Sequence, residues 1–191
     1  MTCVLIGFVV HHKPLVAVTY VPMMDELFYA IKGRGAFLDA PHEMAKPIRV
    51  SPHATDLTQA VVSMDCGYGR DPASVERYLS VQRALLERRI RNIRVVGCCG
   101  LTMAYVACGR LDAGFEEGSW TDNTGPKIWD VTPGKLLVEE AGGVTRDITG
   151  RAFRNKELDL MQRSVFMAAS EELADQLMDA IYNSDAEVKA V

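Results

Sequence analysis

The sequence predicts an α/β protein, and two observations lead to that prediction. Residues 1–45 contain short apolar, β-branched runs separated by turn residues, a pattern typical of hairpins. From Pro47 onward, strand-like runs alternate with helical patterns, as in α/β architectures. We therefore divide the 191-residue chain into residues 1–45, a remnant of an antiparallel sheet with two hairpins, and residues 46–191, an α/β domain.

The first part begins with an apolar hairpin. Val4–Val10 and Leu15–Tyr20 are its strands, and residues 11–14, which include exposed turn histidines, join them. Leu27–Ile31 and Ala36–Leu38 form the second hairpin. Two hairpins cannot cover an apolar face unaided. We therefore expect this part to belong to a larger sheet and the first hairpin to expose apolar surface.

The second part supplies the remaining strands and two amphipathic helices. The candidate strands are Ile48–Val50, Ala60–Met64, Ile93–Val96, Ala113–Phe115, Val144–Thr145 and Val165–Ala168. Asp71-Pro72 opens a helix that ends near Arg88. Its predicted buried stripe is Val75, Tyr78, Leu79 and Leu85. Ser170 caps a last helix, whose predicted stripe is Leu173, Leu177, Met178 and Ile181.

A further helix follows Asp130. The residues Gly134, Leu137, Val138 and Ala141 recur at helical spacing, and a glycine pair at 142–143 ends the helix. Pro133 is acceptable if it lies in the first turn, where its missing N–H has no partner in any case. This places Asp130 at the helix N-terminus. The plain alternative to a functional role is that Asp130 only caps the helix.

Composition excludes several classes of function. A net charge of −4 and a pI near 5.6 argue against a protein that binds nucleic acid or a membrane surface. No apolar run reaches the roughly 18–20 residues of a membrane span, and the first residues do not resemble a signal peptide. The five cysteines give an odd count, which favours free thiols in a reducing cytoplasm. We interpret the pair Cys98-Cys99 as packing residues, since no C-x-x-C or suitably spaced histidine suggests metal or redox chemistry.

Two further segments are candidates for binding. Gly97, Cys98 and Cys99 lie between a strand and a helix that starts near Gly100. Their amides therefore face outward at the positive end of that helix. That position suits an anion or a hydroxyl, although small residues there also permit close packing. Glu116 ends a strand, and its plain interpretation is a solvated strand end.

The segment Trp129–Gly143 resembles the WD-x-A-x-G-x-x-x-x-EAGG signature of the inositol monophosphatase family of metal-dependent phosphatases. Other segments are similar to motifs of the same family. They are the hairpin within Tyr20–Phe37, the G-(S/T)-A-A helix at Gly97–Gly109, the DAYYE strand at Asp112–Glu116 and the segment Asp159–Arg163. The resemblance covers nearly the whole chain.

The resemblance implies a layered αβαβα sandwich of the sugar-phosphatase type. It also implies Mg²⁺-dependent hydrolysis of myo-inositol monophosphate, a small phosphomonoester, by a homodimer. Asp130 matches the family's catalytic aspartate, which binds metal and orients substrate. Glu116 matches the glutamate that binds substrate hydroxyls, and Gly97, Cys98 and Cys99 match substrate-contacting positions. A bisphosphate nucleotidase or sugar-bisphosphate phosphatase of the same superfamily is the alternative enzyme.

The sequence also departs from the family pattern. It contains no D-P-(I/L)-D-G-T motif and no upstream metal-binding glutamate, and about seven extra residues lie near 119–125. We therefore expect an N-terminally truncated sandwich, with the remaining Mg²⁺ ligands in the absent segment and little activity in this chain alone. A catalytically incomplete fragment that acts only in dimerisation or binding is the alternative from another functional class.

Overall fold

The computed structural model describes residues 2–118, 123–147 and 163–188, with side chains through Tyr182. These residues form two five-stranded sheets and four α-helices. One helix pair packs between the sheets and the other packs on the far face of the second sheet, which gives four successive layers. The apolar core accordingly has two parts, one on each side of the second sheet.

The first sheet is an antiparallel meander in the order β1-β2-β3-β4-β5. Its strands are β1 (Val4–Val10), β2 (Lys13–Val21), β3 (Glu26–Ile31), β4 (Gly35–Ala40) and β5 (Glu43–Ile48). His11 and His12 alone turn the chain between β1 and β2, with φ of 47° and 60°. Positive φ at both turn residues gives the twist that a tight hairpin requires. Both histidines are exposed, as the sequence predicted.

The fifth strand corrects the sequence prediction. We predicted a strand at Ile48–Val50, but β5 occupies Glu43–Ile48 and pairs with β4. Only Ile48 belongs to both ranges, and β5 is exposed apart from Ile48. A strand this polar shows no alternating apolar pattern, and it forms because β4 offers an edge for pairing.

Side chains of the edge strand β1 alternate between the two faces of the first sheet. Leu5 lies against Gly100 of helix α2 (Cys99–Ala107), and Gly7 lies against Thr132 and Pro133 of helix α3 (Ile128–Glu140). On the opposite face Val4, Ile6 and Phe8 are 51%, 60% and 57% exposed. The apolar surface predicted for the first hairpin is therefore present in the structure. We call these three residues the β1 apolar face.

The second sheet has the order β7-β6-β8-β10-β9. Its strands are β6 (Val61–Met64), β7 (Asn92–Arg94), β8 (Ala113–Glu116), β9 (Val144–Arg146) and β10 (Val165–Ala168). β6 runs parallel to β7 and to β8, whereas β10 runs antiparallel to β8 and β9. The carboxyl ends of the three parallel strands therefore meet at one edge of the sheet.

Helices α1 (Pro72–Glu87) and α4 (Glu171–Val188) cover the outer face of this sheet. The predicted stripe of α4 is fully buried. The predicted stripe of α1 is partly wrong, because Val75 and Leu79 are 42% and 45% exposed. Leu85 is buried as predicted, and the other buried residues of the helix are Ser80, Val81 and Ala84. Packing against α4 and the sheet determines which face of α1 is buried. That face includes Ser80, which a search for apolar residues misses.

Helices α2 (Cys99–Ala107) and α3 (Ile128–Glu140) lie between the sheets. They approach so closely that a Cβ on Gly134 would lie 2.7 Å from Cβ of Met103. We predicted that the helix follows Asp130, but it begins three residues earlier than that, at Ile128. Pro133 therefore lies in the second turn rather than the first. There it withholds an N–H from the helix, and it packs against Gly7 of β1.

Candidate functional site

Asp130 lies in the first turn of α3, with its carboxylate directed to the start of the helix. Its Oδ2 accepts a hydrogen bond from the N–H of Lys127 at 2.8 Å. The Asp130 N–H in turn donates to the carbonyl of Lys127. The carboxylate thus satisfies part of the helix N-terminus, where negative charge is favourable. The N-cap interpretation is wrong for Asp130, because Lys127 is the N-cap; Asp130 is the third residue of the helix and uses one carboxylate oxygen to accept from the Lys127 N–H.

Residues 97–99 form the turn before α2. Gly97 has φ of 75°, a conformation that glycine adopts without strain. Its N–H donates to Oδ1 of Asp65 at 2.8 Å, which fixes the turn to the end of β6. Cys98 is the N-cap residue and Cys99 begins the helix. The first N–H groups of a helix have no partner within it, so the turn presents amides at the positive end of α2.

Glu116 is the last residue of β8, and its side chain accepts a hydrogen bond from the hydroxyl of Tyr68 at 2.6 Å. Burial raises the pKa of Glu116, and the negative charges of Asp65 and Asp130 raise it further. Hydrogen bonds from Tyr68 and Cys99 act in the opposite direction and favour the carboxylate. Glu116 is therefore a half-buried carboxyl whose charge the neighbouring carboxylates oppose.

These predicted residues line one cavity of about 410 Å³. Its walls contain Gly97, Cys98, Cys99, Glu116 and Asp130 together with Asp65, Cys66, Gly67, Tyr68, Val95 and Pro126. Among these residues are three carboxylates and neither lysine nor arginine. A negatively charged ligand would meet strong repulsion unless a cation accompanied it.

Sequence analysis missed the segment Asp65–Tyr68. The signal was its position immediately after the predicted strand Ala60–Met64, because ligand sites of α/β sheets lie beyond the carboxyl ends of parallel strands. Glu116 is the last residue of β8, at the same edge of the sheet. Residues 65–68 also line a second cavity of about 470 Å³, together with Glu116.

The cavity wall also contains free thiols. Sγ of Cys98 lies 3.3 Å from Sγ of Cys3, which precedes β1. Cys98 and Cys99 are both partly buried at the edge of the core between the sheets. Burial raises the pKa of Cys99. The packing role predicted for this cysteine pair therefore accompanies a position in the cavity.

The described residues of the cavity do not provide all the ligands that Mg²⁺ requires. Among the described residues, no group of three or more His, Cys, Asp or Glu side chains is arranged to hold a metal ion. Mg²⁺ needs six oxygen ligands, and protein sites supply one or two carboxylates with water and substrate phosphate. Asp130 can provide one such carboxylate, but the described residues do not form a complete site.

None of the described helices has the length and apolarity needed to cross a membrane.

Two of the segments named from the sequence fall partly outside this description. Residues 119–122 of the extra segment near 119–125 lie beyond the described ranges, as do residues 159–162 of Asp159–Arg163.

Comparison with known proteins supports the family resemblance seen in the sequence motifs. The profile of the inositol monophosphatase family matches residues 1–186. Inositol monophosphatase 2 of Solanum lycopersicum is 40% identical over 96% of this chain and 62% of its own length. Inositol monophosphatase 1 of Sus scrofa is 36% identical over 92% of this chain and 57% of its own length.

Solved structures show the same fold. Extragenic suppressor protein suhB from Bartonella henselae superposes with a TM-score of 0.76 and 28% identity, covering 94% of this chain and 60% of its own. The inositol monophosphatase from Anabaena gives a TM-score of 0.74 and 27% identity, covering 95% of this chain and 64% of its own. The four layers described above therefore belong to the predicted αβαβα sandwich.

The chain spans about 60% of the length of the relatives that it matches. Over that length the profile match is nearly continuous, and the motif residues Gly97–Cys99, Glu116 and Asp130 meet at one cavity. The chain belongs to the inositol monophosphatase family.

Proposed function

We propose that the cavity lined by Asp130, Glu116 and the Gly97–Cys99 turn is a phosphomonoester site whose substrate is a myo-inositol monophosphate. The observation that carries the proposal is the convergence of these segments on one cavity of about 410 Å³. The relatives are inositol monophosphatases of plants and mammals, which supports the substrate class. The reaction would release inositol and phosphate.

Each wall of the cavity has a distinct role in this proposal. The amides at the start of α2 would contact phosphate oxygens, as helix N-termini commonly do. The Glu116 carboxylate would accept hydrogen bonds from ring hydroxyls while the hydroxyl of Tyr68 holds it in place. The Asp130 carboxylate would bind a cation and orient the ester.

A cation is needed for electrostatic reasons. A phosphate ester carries negative charge and would enter a cavity with three carboxylates and no lining lysine or arginine. We propose Mg²⁺, which binds carboxylate and phosphate oxygens together. When bound, it would supply charge neutralisation and an activated water. Because the described residues do not complete its coordination, we expect slow turnover by residues 1–191 and attribute no step to the ion.

The proposal is tested by calorimetric titration of the chain with myo-inositol 1-phosphate, with and without Mg²⁺. We expect binding that strengthens when Mg²⁺ is present and that is lost in Asp130→Asn. Asp179→Asn is the matched control, since Asp179 pairs with Arg88, the C-cap residue of α1, outside the cavity. Equal affinity in wild type and Asp130→Asn would overturn the assignment of Asp130.

One observation favours a second candidate function. The incomplete metal site fits a binding module that holds the phosphomonoester without hydrolysing it. Phosphate release measured on the same samples separates the two. Hydrolysis that depends on Mg²⁺ and on Asp130 supports the enzyme, whereas binding without hydrolysis supports the module.

We also propose a homodimer located in the cytoplasm. The β1 apolar face supports self-association, because exposed apolar patches commonly mark interfaces. The five cysteines are all free thiols, which supports a reducing compartment. Sedimentation velocity tests the oligomeric state, and a monomer at every protein concentration would refute the dimer.

A further inference from the structure

Cys3 and Cys98 bring two thiols together across the fold. Their Sγ atoms lie 3.3 Å apart although 95 positions separate them in sequence. Cys3 precedes β1 at the outer edge of the first sheet, and Cys98 is the N-cap of α2. Both side chains are partly buried, and Cys98 faces the cavity from which a small solute could reach it.

The surroundings of the two thiols differ. The pKa of Cys98 is lowered, first by the hydrogen bond with Cys3 and then by backbone N–H groups of Leu101 and Gly100, although burial opposes this. The pKa of Cys3 is raised by the same hydrogen bond and by burial. The surroundings therefore favour ionisation of Cys98 over ionisation of Cys3, because a helix N-terminus stabilises a thiolate.

We propose that Cys3 and Cys98 are a peroxide-sensitive pair that forms a reversible disulfide at the wall of the cavity. The Cys98 thiolate attacks one oxygen of hydrogen peroxide, and the O–O bond breaks. This step gives a sulfenic acid and, after protonation of the leaving hydroxide, water. The Cys3 sulfur then attacks the sulfenic sulfur, the S–O bond breaks and a second water leaves with the Cys3 proton. Two thiols are oxidised and one peroxide is reduced to two waters.

The geometry requires only a small movement. A disulfide bond of about 2.05 Å is about 1.3 Å shorter than the present distance of 3.3 Å between the sulfurs. Cys98 is also a member of the turn that faces the cavity. The bond would tie this turn to β1 and withdraw the Cys98 sulfur from the amides of Gly100 and Leu101.

The other three cysteines do not share this arrangement. Cys66 is exposed and lies near the hydroxyl of Tyr78, with Sγ and oxygen 3.8 Å apart. Cys108 donates to the carbonyl of Tyr105 at 3.6 Å. Cys99 follows Cys98 in sequence, and burial raises its pKa. Cys108 therefore offers a matched control.

The test is oxidation of the full chain by hydrogen peroxide, followed by thiol counting and mass spectrometry of unreduced peptides. We expect a loss of two of the five free thiols, a peptide that links Cys3 to Cys98, and full recovery with dithiothreitol. Cys108→Ser should retain the link. Cys3→Ser should lose it and leave a Cys98 sulfenic acid that dimedone traps.

Three outcomes would overturn the proposal. They are retention of the Cys3 and Cys98 thiols under conditions that oxidise exposed Cys66, a disulfide that joins Cys98 to a cysteine other than Cys3, and direct conversion of Cys98 to sulfinic acid in the wild-type chain. Each is read from covalent mass, so the result does not depend on the proposed hydrolytic function.

Discussion

Glu116 combines a half-buried carboxyl group with two neighbouring carboxylates. Burial is the main cause of its raised pKa, and the charges of Asp65 and Asp130 add to it. A cation in the cavity would reverse part of this effect by favouring the ionised form. The electrostatics of this one residue therefore report on whether the cavity is empty or holds a metal ion.

The raised pKa of Glu116 predicts how stability depends on pH. Between the ordinary value of 4.5 and the higher folded-state pKa, the unfolded chain has released more of this proton than the folded chain has. The contribution of Glu116 to the free energy of unfolding is therefore present below that value and falls as pH rises through the folded-state pKa. Glu116→Gln removes this loss and retains an oxygen that accepts from Tyr68.

We expect the melting temperature of Glu116→Gln, relative to wild type, to increase between about pH 4 and about pH 7. Thermal melts of both proteins at several pH values measure this difference. The control is Glu172→Gln on α4, outside the cavity. A difference that stays constant or decreases with pH would contradict the raised pKa.

The helix pair α2 and α3 positions the cavity. The turn before α2 carries Cys98 and the first turn of α3 carries Asp130, so the separation of the two helices sets the width of the site. Gly134 permits that separation, because a Cβ there would lie 2.7 Å from Cβ of Met103. Real Cβ atoms do not approach so closely, so alanine at this position would push the helices apart.

Gly134→Ala tests this packing. Helix propensity alone would favour alanine by about 1 kcal/mol, whereas overpacking in a core costs about 1–3 kcal/mol. We expect a net loss of up to about 2 kcal/mol in the free energy of unfolding, measured by urea denaturation. The double variant Gly134→Ala, Met103→Ala keeps the Met103 Cβ but removes the Met103 sulfur and terminal methyl group, which also lie too close to a Cβ at position 134. It should lose less stability than the two single changes summed, and strict additivity would refute a clash between these residues.

At this scale the sequence predicted well where its pattern matched the packing and poorly where tertiary contacts decided the structure. The stripe of α4 is buried as predicted because that helix faces the sheet with an apolar side. Polar β5 and exposed Val75 and Leu79 were missed, since neighbouring elements rather than local pattern set their environment. Pro133 misled the placement of the helix start, because its cost in the second turn is offset by packing that no local rule includes.

The candidate site shows the same limit. The motif residues Gly97–Cys99, Glu116 and Asp130 could be selected from sequence, and the structure places all of them around one cavity. Their metal and substrate roles stay predictions. Asp65 and Tyr68 escaped notice because hydrogen bonds to Gly97 and Glu116 join segments more than 30 positions apart. The Cys3–Cys98 contact likewise joins distant segments.

The whole molecule places one apolar sheet face in solvent. Val4, Ile6 and Phe8 are more than half exposed on the outermost strand of the first sheet. An edge strand with an uncovered apolar face favours association between molecules. The resulting contact between two copies would lie on the opposite side of β1 from α2 and α3, so it would leave the cavity open.

We expect the wild-type chain to bind a hydrophobic dye and to self-associate. Replacing Ile6 and Phe8 together by lysine should reduce both signals several-fold, because charged side chains on an edge strand oppose pairing. Met23→Lys is the matched control, since Met23 is 86% exposed in the turn after β2 and lies outside the β1 apolar face. Dye fluorescence and sedimentation velocity provide the measurements. A wild-type chain that is monomeric and does not bind the dye would contradict this prediction.

The central claim is that the α2 turn, the end of β8 and the start of α3 form one ligand site. Amide chemical-shift mapping by NMR, with myo-inositol 1-phosphate and Mg²⁺ added to the full chain, tests it most directly. We predict that the largest shifts occur at Gly97, Cys98, Cys99, Glu116 and Asp130, with Asp65 and Tyr68 affected through their hydrogen bonds to this set. Shifts concentrated instead at the separate cavity lined by Leu57, Arg88 and Gln176, or no shifts at all, would contradict the account.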